Sequence, residues 1–227
     1  MATTLRWLGH NCWLVNTRGK TLLVDPFLND SPTAPVKADA VKPDYLLISH
    51  GHFDHISDAA SIAQRTGAVV VANFEICEWL GKLGAKNAEP MNLGGAITLP
   101  FGRVKLTLAH HSSVLPDGTY GGNPGGFLLT LDDCRIYFAC DTALFADMKL
   151  IGAVGLELAV LPIGDRFTMG PDDSLEAIKL LAPKRVAPAH FNTWPPIAQD
   201  AAAWAARVRA ETKAEPIVIE PGGTIAM

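Results

Sequence analysis

The stretch Ser49 to His55, SHGHFDH, holds three of the chain's seven histidines and an aspartate, directly behind the apolar run Tyr45-Leu46-Leu47-Ile48. Imidazole nitrogens and carboxylate oxygens without a thiolate suit zinc, manganese or iron in the divalent state, and they speak against a cysteine-rich structural zinc site. If the start of the loop stays extended, alternation lets His50 and His52 face one ion. Asp54 and His55 lie one turn further on and reach a second ion. One loop then serves two cations.

Such a loop needs elements that bring further ligands to it. The β-rich runs Leu5-Leu8, Cys12-Asn16, Leu22-Asp25 and Tyr45-Ser49 read as strands, the first of them antiparallel. A helix over Ser57-Arg65 follows, with Ser57 as its N-cap and Gly67 as its stop, then a strand Ala68-Ala72 and a helix Glu75-Leu83. After Gly94 the pattern restarts with strands at Val104-Ala109, Phe127-Leu131 and Arg135-Ala139. Strands at Leu158-Leu161 and Val186-Pro188 alternate with helices at Asp173-Leu181 and Ala198-Arg209, and Ile217-Ile219 closes the chain. Two halves with strands first and helices later predict two packed sheets with helices on their outer faces. On this map His50, His110, His111, Asp141 and His190 all follow the carboxyl ends of strands, where α/β proteins place their sites.

Composition limits the alternatives. A chain of 227 residues buries a full core, and one domain over residues 1–227 is expected. The net charge of −4, with both signs well mixed, offers no basic stripe for a nucleic-acid backbone. No segment approaches the roughly 20 apolar residues of a membrane span, and the amino end lacks a basic region followed by a long apolar one. Four scattered cysteines without CxxC spacing fit reduced thiols in a cytoplasm.

HxHxDH followed by a later His, a later Asp and a last His resembles the metallo-β-lactamase superfamily. WLGHNCWLV, DPFL, PMNLGG, YGGNPGGF, CDTALFADMKLIG, LPIGDRFTMGP and PAHFNTWP resemble, more narrowly, a family of small bacterial metal-dependent hydrolases. That family is related to L-ascorbate-6-phosphate lactonase and to N-acyl phosphatidylethanolamine phospholipase D. The similarity runs from Leu5 to about Gly222. It implies an αββα sandwich, an α/β (α+β) fold, with metals at one edge. It further implies that His50, His52 and His111 hold one ion, that Asp54, His55 and His190 hold another, and that Asp141 bridges them. The family pattern HSS selects His111 over His110, and strand alternation allows only one of the two to face the metals. Relatives carry His-Ala-Gly before the bridging aspartate, whereas this chain has Phe138-Ala139-Cys140. Cys140 is expected to be a small core residue rather than a thiolate ligand.

The implied chemistry is hydrolysis of a small ester, lactone or phosphoester by a hydroxide formed between two divalent ions, zinc or manganese, with Asp54 orienting it and handling its proton. A phosphodiesterase or nuclease and a di-iron redox protein are the alternatives on the same scaffold. The intact HxHxDH argues against the redox protein. Ser112 and Ser113 lack a separate base and orienting acid, so they are read as capping or orienting groups. His10 is a candidate for substrate binding or ligand support, and Asp165, Thr168 and Asn192 for lining the cleft. Arg166 is a candidate fork for one anionic group of a small-molecule substrate. The glycines of YGGNPGG are read as turns, and Trp194 as a lid or packed ring. Sequence leaves the oligomeric state open.

Overall fold

Every residue from Leu22 to Leu28 is buried, and the side chains of the first of these alternate between two apolar clusters, Leu22 and Val24 in one, Leu23 in the other. The same division separates Tyr45 and Leu47 from Leu46 and Ile48, and Val71 from Val70 and Ala72. A strand whose two faces are both apolar belongs to a sheet covered on both sides. The computed structural model, which describes residues 2–227, meets that requirement with two seven-stranded sheets and helices packed on them.

The elements follow in chain order: β1 (Thr4–Trp7), β2 (Trp13–Thr17), β3 (Lys20–Val24), β4 (Tyr45–Leu47), α1 (Phe53–Ile56), α2 (Ala59–Thr66), β5 (Val69–Asn73), α3 (Phe74–Lys82) and β6 (Ala88–Met91). Then come β7 (Ala96–Leu99), β8 (Gly102–Leu108), β9 (Gly125–Thr130), β10 (Arg135–Phe138), α4 (Met148–Gly152), β11 (Leu158–Pro162), α5 (Pro171–Leu181), β12 (Arg185–Ala189), α6 (Ala201–Glu211), β13 (Glu215–Pro216) and β14 (Thr224–Ala226). The first sheet has the order β14-β1-β2-β3-β4-β5-β6 and the second β13-β12-β11-β10-β9-β8-β7. Both are mixed. In the first, β3 to β6 are parallel after an antiparallel start, and in the second, β10 to β13 are parallel. Because β9 is antiparallel to both β8 and β10, the strand β8 shares the direction of β10 to β12. The carboxyl ends of β4, β8, β10 and β12 can therefore gather on one rim.

Local signals account for most boundaries. Asp200 caps α6 by accepting from the amides of Ala202 and Ala203 at 3.0 and 2.9 Å, and Asn73 caps α3 by accepting from Ile76 at 2.9 Å. Gly67, with a φ of 72°, stops α2 as expected. The N-cap of α2 is Asp58 rather than the expected Ser57, which ends the short helix α1 instead. Asp58 is also engaged by the amides of Leu28 and Asn29, at 2.7 and 3.0 Å. Ile217-Ile219 is not the closing strand. That place belongs to β14, which pairs with β1 through Thr4 and Ala226. Pro90 lies in the edge strand β6, where a missing N–H costs no ladder bond. Among the described residues no helix is long and apolar enough to cross a membrane.

Candidate metal centre

The rim is made by a backbone device that recurs four times. His10, Asp25, Cys140 and His190 stand beyond β1, β3, β10 and β12 and adopt the left-handed conformation, with φ of 49°, 44°, 53° and 52°. Such residues cost of order 1 kcal/mol and gather where the surrounding structure fixes them for a purpose. At His190 the device is reinforced from the segment after the neighbouring strand β11: a Cβ on Gly164 would stand 2.2 Å from the His190 carbonyl oxygen, so only glycine fits there. The two sheets meet at the same place, where the amide of His190 donates to the carbonyl of His10 at 3.1 Å and that of Gly125 donates to Ser49 at 3.0 Å.

Three imidazoles converge first. His50 Nε2 lies 2.9 Å from His52 Nδ1, which lies 3.2 Å from His111 Nε2. Of the adjacent pair, His111 faces this group. His110 is exposed and packs on Phe145 at 5.1 Å between ring centroids. A second group consists of His10, Asp54, His55 and His190, with one donor atom from each lying within 4.8 Å of the others. Between the groups stands Asp141, whose Oδ2 is 3.0 Å from His190 Nε2, 3.4 Å from His55 Nε2 and 3.6 Å from His111 Nε2.

His55 Nε2, both ring nitrogens of His190 and Asp141 Oδ1 are buried without a hydrogen-bond partner, although a lost bond at such an atom ordinarily costs 1–3 kcal/mol. Nitrogens and oxygens that approach one another without aligning for hydrogen bonds are arranged for a cation, so these residues fit a metal. His10 differs. Burial first, and the neighbouring His190 next, lower its pKa to about 3, so it is neutral. Its Nε2–H then donates to Asp54 Oδ2 at 3.0 Å, and its Nδ1 accepts from the Thr193 hydroxyl at 2.7 Å. With both nitrogens engaged, His10 holds Asp54.

The hydrogen bonds behind the cluster fix its tautomers, and the residue that organises them is Asp25. Its carboxylate accepts from His55 Nδ1 at 2.8 Å, from the Ser49 amide and hydroxyl at 2.8 and 2.7 Å, and from Asn11 at 2.7 Å. The Ser49 oxygen, having given its proton to Asp25, accepts from His50 Nδ1 at 2.9 Å. His50 and His55 thereby turn their Nε2 atoms toward the centre. Sequence reasoning assigned Asp25 no part, yet it follows a strand end like every other site residue. Burial lowers the pKa of the His55 imidazole, but the Asp141, Asp54 and Asp25 carboxylates overcome this and hold it well above its usual value. Burial likewise opposes the charge of Asp141, and His190 and His55 keep it ionised, well below the usual carboxylate range. The Cys140 thiol is pushed well up by burial and then by Asp25, so it remains a protonated thiol.

The centre opens into a cavity of about 480 Å³. His52, Asp54, His111, Asp141 and His190 form its floor, Ser112 one corner, and Phe53, Phe167, Trp194, Pro196 and Ile197 its walls. His10 is sealed behind Asp54 and does not line the cavity. Asp165, Arg166, Thr168 and Asn192 stand outside it as well. Arg166 lies over the Phe167 ring at 5.5 Å, and Asn192 accepts from the amide of Gln199 at 2.7 Å. The YGGNPGG segment is pinned away from the cavity by Asn73, which donates to the carbonyls of Gly121 and Asn123 at 2.7 and 3.1 Å.

Two packed mixed sheets with such a centre at their rim define the metallo-β-lactamase class. Residues 4–190 match the family model of the β-lactamase superfamily domain, and the chain belongs to that superfamily. Within it the chain belongs to the UPF0173 metal-dependent hydrolases. It is 50% identical over 219 residues to the member from Thermus thermophilus, covering 96% of both chains, and 44% identical over 224 residues to that from Symbiobacterium thermophilum, covering 97% and 98%. Among solved structures, Igni18, a metallo hydrolase from Ignicoccus hospitalis, superposes with a TM-score of 0.91 at 34% identity over 100% of this chain and 99% of its own.

Proposed function

We propose that residues 1–227 act as one domain that hydrolyses a small ester, lactone or phosphoester with two divalent ions, zinc or manganese. His50, His52 and His111 hold one ion, Asp54, His55 and His190 hold the other, and Asp141 lies between. The observation that carries this reading is that His55 Nε2 and His190 Nε2, both buried without a hydrogen-bond partner, approach Asp141 Oδ2 at 3.4 and 3.0 Å, with His111 Nε2 on its other side at 3.6 Å. When bound, the ions supply Lewis acidity that polarises the scissile group and acidifies an attacking water.

The chain's own residues do the rest. Asp54 lines the cavity floor and keeps its charge: burial opposes it, and His55, His10 and His190 hold it far below the usual carboxylate range. His10 fixes the orientation of that carboxylate, so Asp54 is the group placed to take a proton from the attacking water and return it to the leaving oxygen. The balance is that of hydrolysis: the bond from the acyl carbon or phosphorus to the leaving oxygen breaks, water contributes its OH to the first fragment and its proton to the second. The Ser112 hydroxyl, 3.4 Å from His52 Nε2, lies where it can orient the substrate.

Metal analysis of protein purified without chelator, together with turnover against esters, lactones, phosphomonoesters and phosphodiesters, tests this reading. Two ions per chain and metal-dependent cleavage of a small substrate are expected. Saturation at one ion overturns the two-ion assignment, and faster cleavage of RNA or DNA than of any small ester overturns the substrate range.

A further inference from the structure

The cavity's walls and floor differ in a way that bears on the substrate. All the charge that lines it is on the floor, in Asp54, Asp141 and the histidines. Above the floor the walls are Phe53, Phe167, Trp194, Pro196 and Ile197, and no lysine or arginine is among the described residues that line it. Phe53 and Phe167 are 56% and 54% exposed although they are large apolar side chains, and exposed apolar surface of this kind on a cavity mouth marks a binding surface. Phe53 is held upright by an aromatic cluster, its ring 5.9 Å from Phe27 and 6.0 Å from Trp194. Arg166, the cation in the loop before the wall residue Phe167, lies over that ring and does not line the cavity.

We infer that the substrate, apart from the group that reacts at the floor, is uncharged and apolar: a neutral aliphatic or aromatic ester or lactone whose hydrocarbon part lies in the cavity against Phe53, Phe167 and Trp194. The inference rests on the hydrolytic reading above and narrows it, setting aside sugar phosphates and dicarboxylates. Moving a charged group from water onto such walls is unfavourable without a partner, whereas each methylene buried there is favourable.

Two ethyl esters of equal chain length make the test. Ethyl hexanoate and the monoethyl ester of adipic acid differ in whether the far end carries a methyl or a carboxylate. We expect kcat/KM at least about tenfold higher for the hexanoate, and a rise of about threefold to fourfold per methylene from propionate to hexanoate. Phe167→Ala should flatten that rise through KM with metal content unchanged, Phe53→Leu should retain most of it, and Arg166→Ala should leave the hexanoate-to-adipate ratio as it is. Equal or better turnover of the adipate ester, or its specific loss in Arg166→Ala, overturns the inference and leaves hydrolysis standing. Calorimetric binding of 1-hexanol against ethanol needs no turnover. Tighter hexanol binding that weakens in Phe167→Ala, without cleavage of any ester, would sustain the apolar pocket and sink hydrolysis, and equal binding of the two alcohols overturns the pocket.

Discussion

The first sheet delivers His50, His52, Asp54 and His55 from one continuous stretch after β4, the loop and the short helix α1, whereas the second delivers His111, Asp141 and His190 from three separate strand ends. The two sets are held by different physics. On the loop side one buried carboxylate, Asp25, orients His55 directly and His50 through Ser49, so two of the four share one anchor. On the strand side Asp141 and His190 are placed by the register of parallel strands, with neighbours such as Pro162 and Ala189, and by left-handed turns at Cys140 and His190, whereas His111 follows β8, which pairs antiparallel with β7 and β9. A hydrogen-bonded hub fails as a unit, while strand ends fail one at a time.

The largest effect is expected where the sets meet. Asp141→Ala removes the oxygen that faces His55, His111 and His190, and should lower metal content and turnover about a hundredfold or more, because several kcal/mol of charge stabilisation go with it. His110→Ala, whose ring packs on Phe145 outside the cluster, should change either by less than about twofold. Comparable metal loss in the two variants, measured by elemental analysis, would break the assignment of the strand-end ligands.

Asp25→Asn comes next. It keeps the shape of the hub and removes the charge that fixes the His55 tautomer, which typically costs 10- to 100-fold in metal affinity. If the loop acts as a unit, titration should show weakening at both ions. Weakening at one alone would mean that Ser49 holds His50 independently. The strand-side counterpart is Gly164→Ala, whose Cβ would press on the His190 carbonyl. Overpacking of this kind costs about 1–3 kcal/mol, a fall in melting temperature of a few degrees for a chain of this length, and should weaken the ion assigned to His190 while sparing the other. Uniform weakening would erase the distinction between the two sides.

The smallest effect is one of proton count. Burial lowers the His190 pKa, but Asp141 and then Asp54 more than offset this and raise it to about 9. A raised imidazole stabilises the fold fully below its unfolded value near 6.5, and that contribution is lost as the pH climbs through about 9. A cation competes with the same proton. Metal uptake near pH 7.5 should therefore release protons, and affinity should rise with pH toward 9. Calorimetry in two buffers of different ionisation enthalpy reads the release directly, and identical heats in both would refute it.

The same contrast explains what was legible beforehand. HGHFDH is contiguous, so residue types and spacing alone announce a metal, and the apolar runs announce most strands of both sheets. His111, Asp141 and His190 needed both the strand-end rule and family resemblance, because their convergence depends on strand order. Asp25 escaped because a lone aspartate before a proline reads as a turn, and only the fold brings Asn11, Ser49 and His55 around it. Arg166 is the converse case: sequence puts it in a loop near the rim, and its side chain lies over the Phe167 ring and does not line the cavity. The strands β6 and β7 and the helices α1 and α4 are short or carry a proline, so their patterns stay below what periodicity detects.

The left-handed turns at His10, Asp25, Cys140 and His190 also govern how this rim can drift under mutation. Glycine, asparagine, aspartate and histidine enter that conformation at low cost, and β-branched residues do not. Valine or isoleucine at these four positions is rejected by the backbone before any loss of chemistry is felt, and the substitutions left open are glycine and short polar side chains. Cys140→Gly should relieve local strain, at the cost of the small apolar volume the thiol fills. Variation at the rim is thus channelled toward residues that either bind cations or occupy no space, and selection for folding alone keeps the site close to a metal-binding composition.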